Sequence, residues 1–463
     1  MKIRRGRRAF FPCNAMKKKQ ALYLSALALV LLSIVVVRWN TTANAVGPLA
    51  HVLLTWRSEE TSRTMTVLYQ TQDSPGVSRV LYDTVSRGGA KKSYRFQQSG
   101  TGDRFKELNR TIHTVELIGL QPATTYYFVI ADARRVRSKE MKFRTLPADG
   151  AAIRIVTGGD MGLTDEALAL SRQAATADPD LAIIGGDIAY ANGKLGNAER
   201  WDRWLQNWTE TMRTSDGRLI PFIAAIGNHE VNPVKGGSPT EKAPFYLRYL
   251  HQDDTNGSYF SRTIGANVGL VVLDSTHLHR ADGPQVAWLE QQLERYQDRS
   301  YRFAVYHRPL YPGGRYPGYE PGETKDLIRA WLPAFDRFHL TLGLENHYHT
   351  HKRTKVLAHN AVSKDGRGTV YLGDGAWGQK PREVVPDLWY LEKAFSKNHI
   401  WIVDVSSDEI AFQAVDADGN RFDHGAIGGG GSASEQRGAA EIMQRKSMAP
   451  TDQSILRSTQ KQG

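Results

Sequence analysis

The sequence predicts two folded domains, an N-terminal all-β sandwich and a C-terminal α/β domain. A chain of 463 residues exceeds the size of one ordinary hydrophobic core, so two domains are expected. Short strand-like runs joined by turn-forming residues fill residues 46–147. Over residues 151–424 the pattern changes to apolar strands that alternate with helices. Residues 1–45 and 425–463 fit neither pattern.

Residues 1–45 are predicted to be an export segment. Eight Lys or Arg and no acid occupy residues 1–20, and residues 21–37 form an uninterrupted apolar run. This run is shorter than the stretch of about 20 residues that usually spans a bilayer, and residues 43–45 read Ala-Asn-Ala, typical of signal-peptide cleavage. The sequence therefore predicts an exported protein, periplasmic or extracellular, that is either released by cleavage or anchored to the membrane through residues 21–37.

The formal net charge of +12 is concentrated at the two ends of the chain. Only about +1 remains over residues 39–424, so the folded domains lack the basic excess typical of nucleic-acid binding, and we expect no such partner. The single cysteine, Cys13, precedes the apolar run, which excludes disulfides and thiolate ligands from the exported part. Residues 425–463 contain a glycine run and are otherwise polar, which predicts a disordered tail.

The N-terminal domain is predicted from five short runs rich in β-branched, aromatic and aliphatic residues. These runs are 52–56, 65–69, 79–82, 113–117 and 141–144. Residues 120–126, Leu-Gln-Pro-Ala-Thr-Thr-Tyr, resemble the tyrosine corner of fibronectin type III domains, with Tyr126 as the corner residue. Trp56 is expected to anchor the core. We favour a packing role for this domain over an adhesion or substrate-gating role.

The C-terminal domain is predicted to contain one open sheet with parallel strands. Its strands are predicted at 153–156, 181–184, 221–226, 269–274, 302–306, 338–342, 370–372 and 400–405, and its helices at 164–177, 199–212 and 286–295. The run Leu181–Ile184 is apolar throughout, as expected for a strand that is covered on both faces. In the second helix Trp201, Trp204 and Trp208 recur at helical spacing, which predicts a face packed in the core.

Residues with metal-binding side chains follow the strands of this domain. They are Asp160, Asp187 with Tyr190, Asn228 with His229, His307, and His347 with His349. Functional side chains in open α/β sheets lie at the carboxyl ends of the strands. Carboxylates, imidazoles, an amide oxygen and a phenol without sulfur favour iron, manganese or zinc. The set exceeds the needs of one ion and fits two ions bridged by a carboxylate.

In order and spacing these motifs resemble those of the purple acid phosphatases, a branch of the metallophosphoesterase superfamily. The matching motifs are Asp160-Met161-Gly162, Gly186-Asp187-Ile188-Ala189-Tyr190, Gly227-Asn228-His229-Glu230, His307 and His347-Tyr348-His349. The resemblance covers about residues 50–424, because those enzymes often carry an N-terminal fibronectin-like domain. It implies a catalytic domain with a β-sandwich core flanked by helices.

The resemblance also assigns roles within the site. It implies a first metal held by Asp160, Asp187, Tyr190 and His349, and a second held by Asp187, Asn228, His307 and His347. A phenolate from Tyr190 implies Fe(III) at the first position, with a divalent iron, zinc or manganese ion at the second. His229 is expected to contact the phosphate and to help supply a proton to the leaving group.

The implied activity is acid phosphatase, in which a metal-bound hydroxide attacks a small phosphate monoester. Two alternatives remain open. One is a phosphodiesterase of the same superfamily, and the other is a non-catalytic cell-envelope binding protein whose metal site only stabilises the fold.

Three stretches depart from the family pattern and concern substrate recognition more than metal binding. Asn346 replaces a usual glycine, and residues 351–354 read His-Lys-Arg-Thr instead of Tyr-Glu-Arg-Thr. Residues 315–317 read Arg-Tyr-Pro where plant members often have adjacent substrate-facing histidines. Arg315 is either a phosphate-binding residue or an ordinary surface arginine.

Overall fold

The computed structural model describes residues 49–72, 78–132, 136–234, 237–253, 257–314 and 322–428. The predicted export segment, Arg315 and residues 429–463 of the predicted tail lie outside these ranges. Residues 425–428 belong to the last strand, so the fold continues four residues beyond the predicted boundary at 424. Among the helices within the described ranges, none combines the length and the apolar character needed to span a membrane.

Within its described residues, the N-terminal domain contains seven strands. They are β1 Ala50–Thr55, β2 Met65–Thr71, β3 Ser78–Asp83, β4 Phe96–Phe105, β5 Arg110–Leu117, β6 Thr125–Ala131 and β7 Met141–Arg144. Their order is β1-β2-β5-β4-β3-β6-β7. The long strand β4 pairs with β3 through residues 96–100 and with β5 through residues 101–105, so it belongs to both halves of the domain. Strand β4 was not predicted, because the residues between its terminal phenylalanines are polar or glycine and at least partly exposed.

Two predictions about the core of this domain are confirmed. The backbone N–H of Gln121 donates a hydrogen bond to Tyr126 Oη at 2.8 Å, which is the contact that defines a tyrosine corner. Trp56 is fully buried, and its indole N–H donates to the carbonyl of Thr64 at 2.9 Å. A buried tryptophan needs such a partner, because an unpaired indole N–H would lose its hydrogen bond to water.

The described part of the C-terminal domain contains fifteen more strands and five α-helices. The strands are β8 Ile153–Gly158, β9 Leu181–Ile184, β10 Phe222–Ala224, β11 Phe260–Ile264, β12 Val268–Val272, β13 Tyr301–Val305, β14 Leu342–Leu344, β15 His351–Thr354, β16 Leu357–Ala358, β17 Ala361–Val362, β18 Val370–Gly373, β19 Leu391–Phe395, β20 Ile400–Val405, β21 Glu409–Val415 and β22 Arg421–Gly428. The helices are α1 Asp165–Thr176, α2 Ala198–Thr211, α3 Pro239–Lys242, α4 Pro284–Arg295 and α5 Gly322–Arg337. Thr164 caps α1 by accepting the N–H of Ala167, at the start of the helix predicted over residues 164–177.

These strands form two large sheets rather than the single sheet predicted from the residues alone. One sheet has the order β10-β9-β8-β20-β21-β22, and the other has the order β11-β12-β13-β14-β18-β15-β19. Their facing sides share one core, in which Ile183 of the first sheet and Phe303 of the second are both buried. The β-sandwich core implied by the family resemblance is therefore confirmed.

Helices cover the outer face of each sheet. Helices α1 and α2 pack on the first sheet, and the predicted tryptophan stripe of α2 is buried there. Helices α4 and α5 pack on the second sheet, where Trp331 of α5 is fully buried. The sequence analysis missed α5, although its apolar residues Leu327, Trp331 and Phe335 recur at helical spacing.

The two domains pack closely, and the described residues of both belong to one compact unit. Arg110 of β5 is buried and binds Asp202 of α2 through Nη2 and Oδ2 at 3.0 Å. From the C-terminal domain, Arg262 of β11 donates to the carbonyl of Trp56 in the N-terminal domain at 2.8 Å. Buried guanidinium groups require such partners, so these contacts fix the β-sandwich on the C-terminal domain.

Candidate metal centre

The predicted ligands come together because both sheets end their parallel strands at the same edge of the fold. Strands β8, β9 and β10 lead to Asp160, Asp187 and Asn228. Strands β13 and β14 of the second sheet lead to His307 and His347. Side chains separated by up to almost 190 positions in sequence therefore meet within hydrogen-bonding distance, as between Asp160 and the backbone N–H of His347 at 2.8 Å.

Asp160, Tyr190 and His349 form the first group of ligand atoms. His349 Nε2 lies 3.0 Å from Asp160 Oδ1 and 3.3 Å from Tyr190 Oη. Tyr190 Oη lies 3.3 Å from Asp160 Oδ1. Burial, together with the Asp160 and Asp187 carboxylates, raises the pKa of Tyr190 far above its ordinary value.

Asp187, Asn228, His307 and His347 form the second group. His307 Nε2 is at its centre, 3.1 Å from Asn228 Oδ1, 3.1 Å from His347 Nδ1 and 3.3 Å from Asp187 Oδ2. Potential ligand atoms of Asp187, His307 and His347 all lie within 4.8 Å of one another. Burial and the nearby His307 lower the pKa of His347 to about 2, which keeps its ring neutral.

The chemistry of the second group fits a metal ion. His307 Nδ1 lies 2.9 Å from the carbonyl of Gly185, which requires the proton on Nδ1. A neutral His307 therefore directs the lone pair of Nε2 towards the oxygens of Asp187 and Asn228. Acceptors that face one another in a buried site need a cation between them. Although burial opposes a charged ring, the Asp187 and Asp160 carboxylates raise the pKa of His307 to about 9. The two carboxylates therefore favour a positive charge at this position.

The spacing of the ligand atoms also suits metal ions. Ligands bound at about 2.0–2.2 Å with angles near 90–110° lie roughly 2.8–3.6 Å apart. The contacts within both groups, 3.0–3.3 Å, fall in this range. All seven predicted ligands are therefore placed in two groups, whereas Arg315 lies outside the described residues.

Five of the seven predicted ligands have left-handed backbones, which L-residues adopt at a cost. They are Asp160 at φ 57°, Asp187 at 52°, Tyr190 at 57°, His347 at 82° and His349 at 54°. Each such residue costs on the order of 1 kcal/mol or more unless its surroundings impose the conformation. Such strain is concentrated at functional sites, where it orients particular side chains at a cost in local stability.

Glu230 is a functional residue to which the sequence analysis gave no role. Its buried carboxylate accepts the backbone N–H groups of Asp187, Ile188 and Gly227, each at 2.8 Å. It therefore fixes the left-handed turn that aims Asp187. Burial and the neighbouring Asp187 raise the pKa of Glu230 to about 7. The sequence contained a signal for this supporting role, because Glu230 is the last residue of the motif that begins with Gly227.

His229 lies at the rim of the centre, with 36% of its side chain exposed. Its ring packs on Tyr190 with the centroids 4.2 Å apart, and its backbone N–H donates to Asp187 Oδ1 at 2.8 Å. Nδ1 is hydrogen-bonded to the side-chain oxygen of Asn192. This bond places the Nδ1 proton on the Asn192 side and leaves Nε2, 3.8 Å from Asp187 Oδ2, on the side of the metal ligands.

Two of the three departures from the family pattern, at Asn346 and at residues 351–352, are buried near His347 and His349, and the third, residues 315–317, lies outside the described residues. The Asn346 amide donates to the carbonyl of Tyr306 at 3.1 Å and occupies space that a Cβ on Gly185 would need. Lys352 is fully buried, where it is bonded to Glu345 and lies 3.2 Å from Asp374 Oδ1. A buried ammonium group requires such carboxylates, so the altered residues form a supporting network rather than a substrate surface.

Comparisons with known proteins agree with this geometry. The family described as Purple acid Phosphatase, N-terminal domain matches residues 49–145, and the family described as Calcineurin-like phosphoesterase matches residues 153–342. Purple acid phosphatase 15 of Arabidopsis thaliana is 26% identical over 303 residues, which cover 58% of this chain and about half, 54%, of that protein. Purple acid phosphatase 21 of the same plant is 23% identical over 356 residues, covering 73% of this chain and 76% of that protein.

A solved structure shares the fold. The purple acid phosphatase PPD1 from yellow lupin (Lupinus luteus) seeds matches with a TM-score of 0.69 and covers 83% of this chain and 74% of that chain. At 17% identity this likeness concerns the fold and not the substrate.

Proposed function

We propose that this purple acid phosphatase-like metallophosphoesterase is an exported acid phosphatase that hydrolyses small phosphate monoesters at a two-metal centre. The observation that carries this proposal is the division of seven ligand-type side chains into two adjacent groups. In each group the ligand atoms stand 3.0–3.3 Å apart. A site that only stabilised the fold would need neither so many ligands nor a second group.

We assign the first position to Asp160, Tyr190 and His349, and the second to Asn228, His307 and His347, with Asp187 shared between them. Two bound ions would supply Lewis acidity and activate a water nucleophile. The family and the tyrosine at residue 190 favour Fe(III) at the first position with a divalent iron, zinc or manganese ion beside it.

The protein's own groups position and neutralise the substrate. His229 presents Nε2 at the rim of the centre, and Asn192, which accepts the Nδ1 proton, fixes the orientation of its ring. When the ring is protonated on both nitrogens, Nε2 donates to a phosphate oxygen or to the leaving oxygen. Glu230 holds the turn that aims Asp187 and acts through that residue. The exposed His229 also argues against the alternative of a non-catalytic binding protein, which would have no use for an acid beside the centre.

Rates on matched aryl mono- and diesters test the substrate class. We expect the metal-loaded enzyme to have the higher kcat/KM for the monoester, with an acidic optimum, and the metal-free protein to be inactive. A higher kcat/KM for the diester would instead establish the phosphodiesterase alternative. Cell fractionation with N-terminal sequencing tests export and separates a cleaved signal peptide from an anchor at residues 21–37.

A further inference from the structure

A histidine outside the predicted ligand set lies against the second group. His277 follows β12, and its ring centroid is 5.5 Å from that of His307. It is half-buried and is not a member of the close cluster formed by Asp187, His307 and His347. The charged or titratable groups that act on it include Arg308, Asp187 and His347, so it lies beside the position expected for the second ion.

The loop that carries His277 is held in place by hydrogen bonds to a buried carboxylate. The fully buried Asp274 accepts the backbone N–H groups of His277 at 2.6 Å, Leu278 at 2.9 Å and His279 at 3.0 Å. Thr276 has a φ of 72°, which a β-branched residue adopts only under constraint. As with the ligands themselves, the chain accepts local strain to aim the next side chain.

The hydrogen bonds around His277 leave one ring nitrogen for a ligand. The Ser275 hydroxyl accepts the backbone N–H of Arg308 at 2.9 Å and lies 3.2 Å from His277 Nε2. A hydroxyl that accepts from Arg308 still has its proton to donate, which favours Nε2 as the acceptor and places the ring proton on Nδ1. Within the described part of the chain, Ser275 is the only hydrogen-bond partner of this ring.

From this geometry we propose that His277 is a substrate-binding residue that donates a hydrogen bond to a phosphoryl oxygen on the second-ion side of the centre. The proposal rests on the proposed function and deepens it. His229 would meet the phosphate from the Tyr190 side and His277 from the His307 side. His277 thereby supplies an imidazole to a centre in which residues 315–317 read Arg-Tyr-Pro instead of the adjacent histidines that plant members often have.

The test compares His277→Ala and His277→Asn with His279→Ala, a matched control that removes another half-buried histidine from the same loop. Inorganic phosphate is the probe, measured by calorimetry on the metal-loaded proteins, alongside kcat/KM for an aryl monoester. Losing a hydrogen bond to a charged group should weaken phosphate binding and lower kcat/KM by about 10–100-fold in His277→Ala. His277→Asn keeps an N–H near the position of Nδ1 and should recover part of both, while His279→Ala should stay within about twofold of the wild type.

Metal content separates a substrate contact from a ligand. We expect all three variants to retain both ions, so loss of an ion from both His277 variants would overturn the proposal. Wild-type phosphate affinity in His277→Ala would overturn it equally. If the wild type hydrolysed no phosphoester, the proposed function would fail, and phosphate binding by the same proteins would still decide the role of His277.

Discussion

The two groups of ligands in the centre are supported in different ways. In the second group, His307 is anchored from outside by the carbonyl of Gly185, and the turn of Asp187 is held by Glu230. In the first group, the only hydrogen-bond or ion-pair partners of the His349 ring among the described residues are Asp160 and Tyr190. The imidazole of the second group is therefore anchored by the backbone of the fold, whereas the imidazole of the first group has polar contacts only with other members of its own group.

This difference predicts which of the two ligand groups should better retain its metal affinity when one of its members is substituted. Second-sphere hydrogen bonds orient ligands and raise metal affinity, so the second group should keep its geometry when one member is changed. The first group lacks such an anchor on its imidazole and should be more sensitive. Three substitutions test this contrast, in order of decreasing effect on the site, and a fourth, remote from the centre, affects the stability of the fold alone.

Asp187→Asn should have the largest effect, because this carboxylate is assigned to both positions. We expect kcat to fall by at least about 10³-fold and both ions to be held more weakly, since an amide cannot neutralise two cations. Activity assays with metal analysis make the measurement, and Asp165→Asn, an exposed position in the first turn of α1, is the control. Full activity in Asp187→Asn would contradict the two-metal assignment altogether.

Tyr190→Phe should affect the first group alone. If Tyr190 binds Fe(III), the purified wild type absorbs visible light through phenolate-to-iron charge transfer, and the variant is colourless. Loss of one ligand from a weakly anchored group should lower the affinity of the first ion by about 10–100-fold, with the second ion retained. Visible spectra and iron analysis are compared with those of Tyr127→Phe in the β-sandwich. A colourless, active wild type with two divalent ions would refute the iron assignment.

Glu230→Gln should damage the anchored group through its support. The amide NH₂ of glutamine must face at least one of the backbone N–H groups that the carboxylate now accepts. A buried donor that faces another donor should lower the free energy of unfolding by about 1–3 kcal/mol. We expect kcat to fall and KM to change less. Glu241→Gln, in an exposed capping box, is the control and should change stability by less than about 1 kcal/mol. Unchanged stability in Glu230→Gln would remove the supporting role.

Asp423→Asn should leave the site untouched and change the pH dependence of stability. Burial favours a neutral Asp423, but hydrogen bonds from His351 and Arg353 outweigh it and hold the pKa well below the ordinary 3.8. A depressed pKa contributes stability above about pH 4, and this contribution is lost as the pH falls through the lower, folded-state value. Denaturant unfolding between pH 3 and pH 6 should therefore show a smaller pH dependence in the variant than in the wild type, with equal colour and kcat. Exposed Asp408→Asn is the control.

Local patterns were strong enough to predict many of the elements. The strand Leu181–Ile184 and the capped helix that follows Thr164 were predicted closely, because burial and capping leave signals in neighbouring residues. Strand β4 was missed because its polar, glycine-containing residues resemble a loop and gain their strand geometry from partners on both sides. Glu230 was missed as a support because two of its three partners, Asp187 and Ile188, lie more than forty residues away.

The sequence by itself determined which residue types could bind metal, because a histidine or aspartate after a buried strand is a local property of the chain. It also determined the tyrosine corner and the tryptophan face of α2. Only the tertiary structure decided that two sheets, rather than one, bring these side chains together, and that His277 lies beside His307. The reason is physical: ligand spacing of 3.0–3.3 Å is set by how strands from two sheets pack, which no single stretch of the chain encodes.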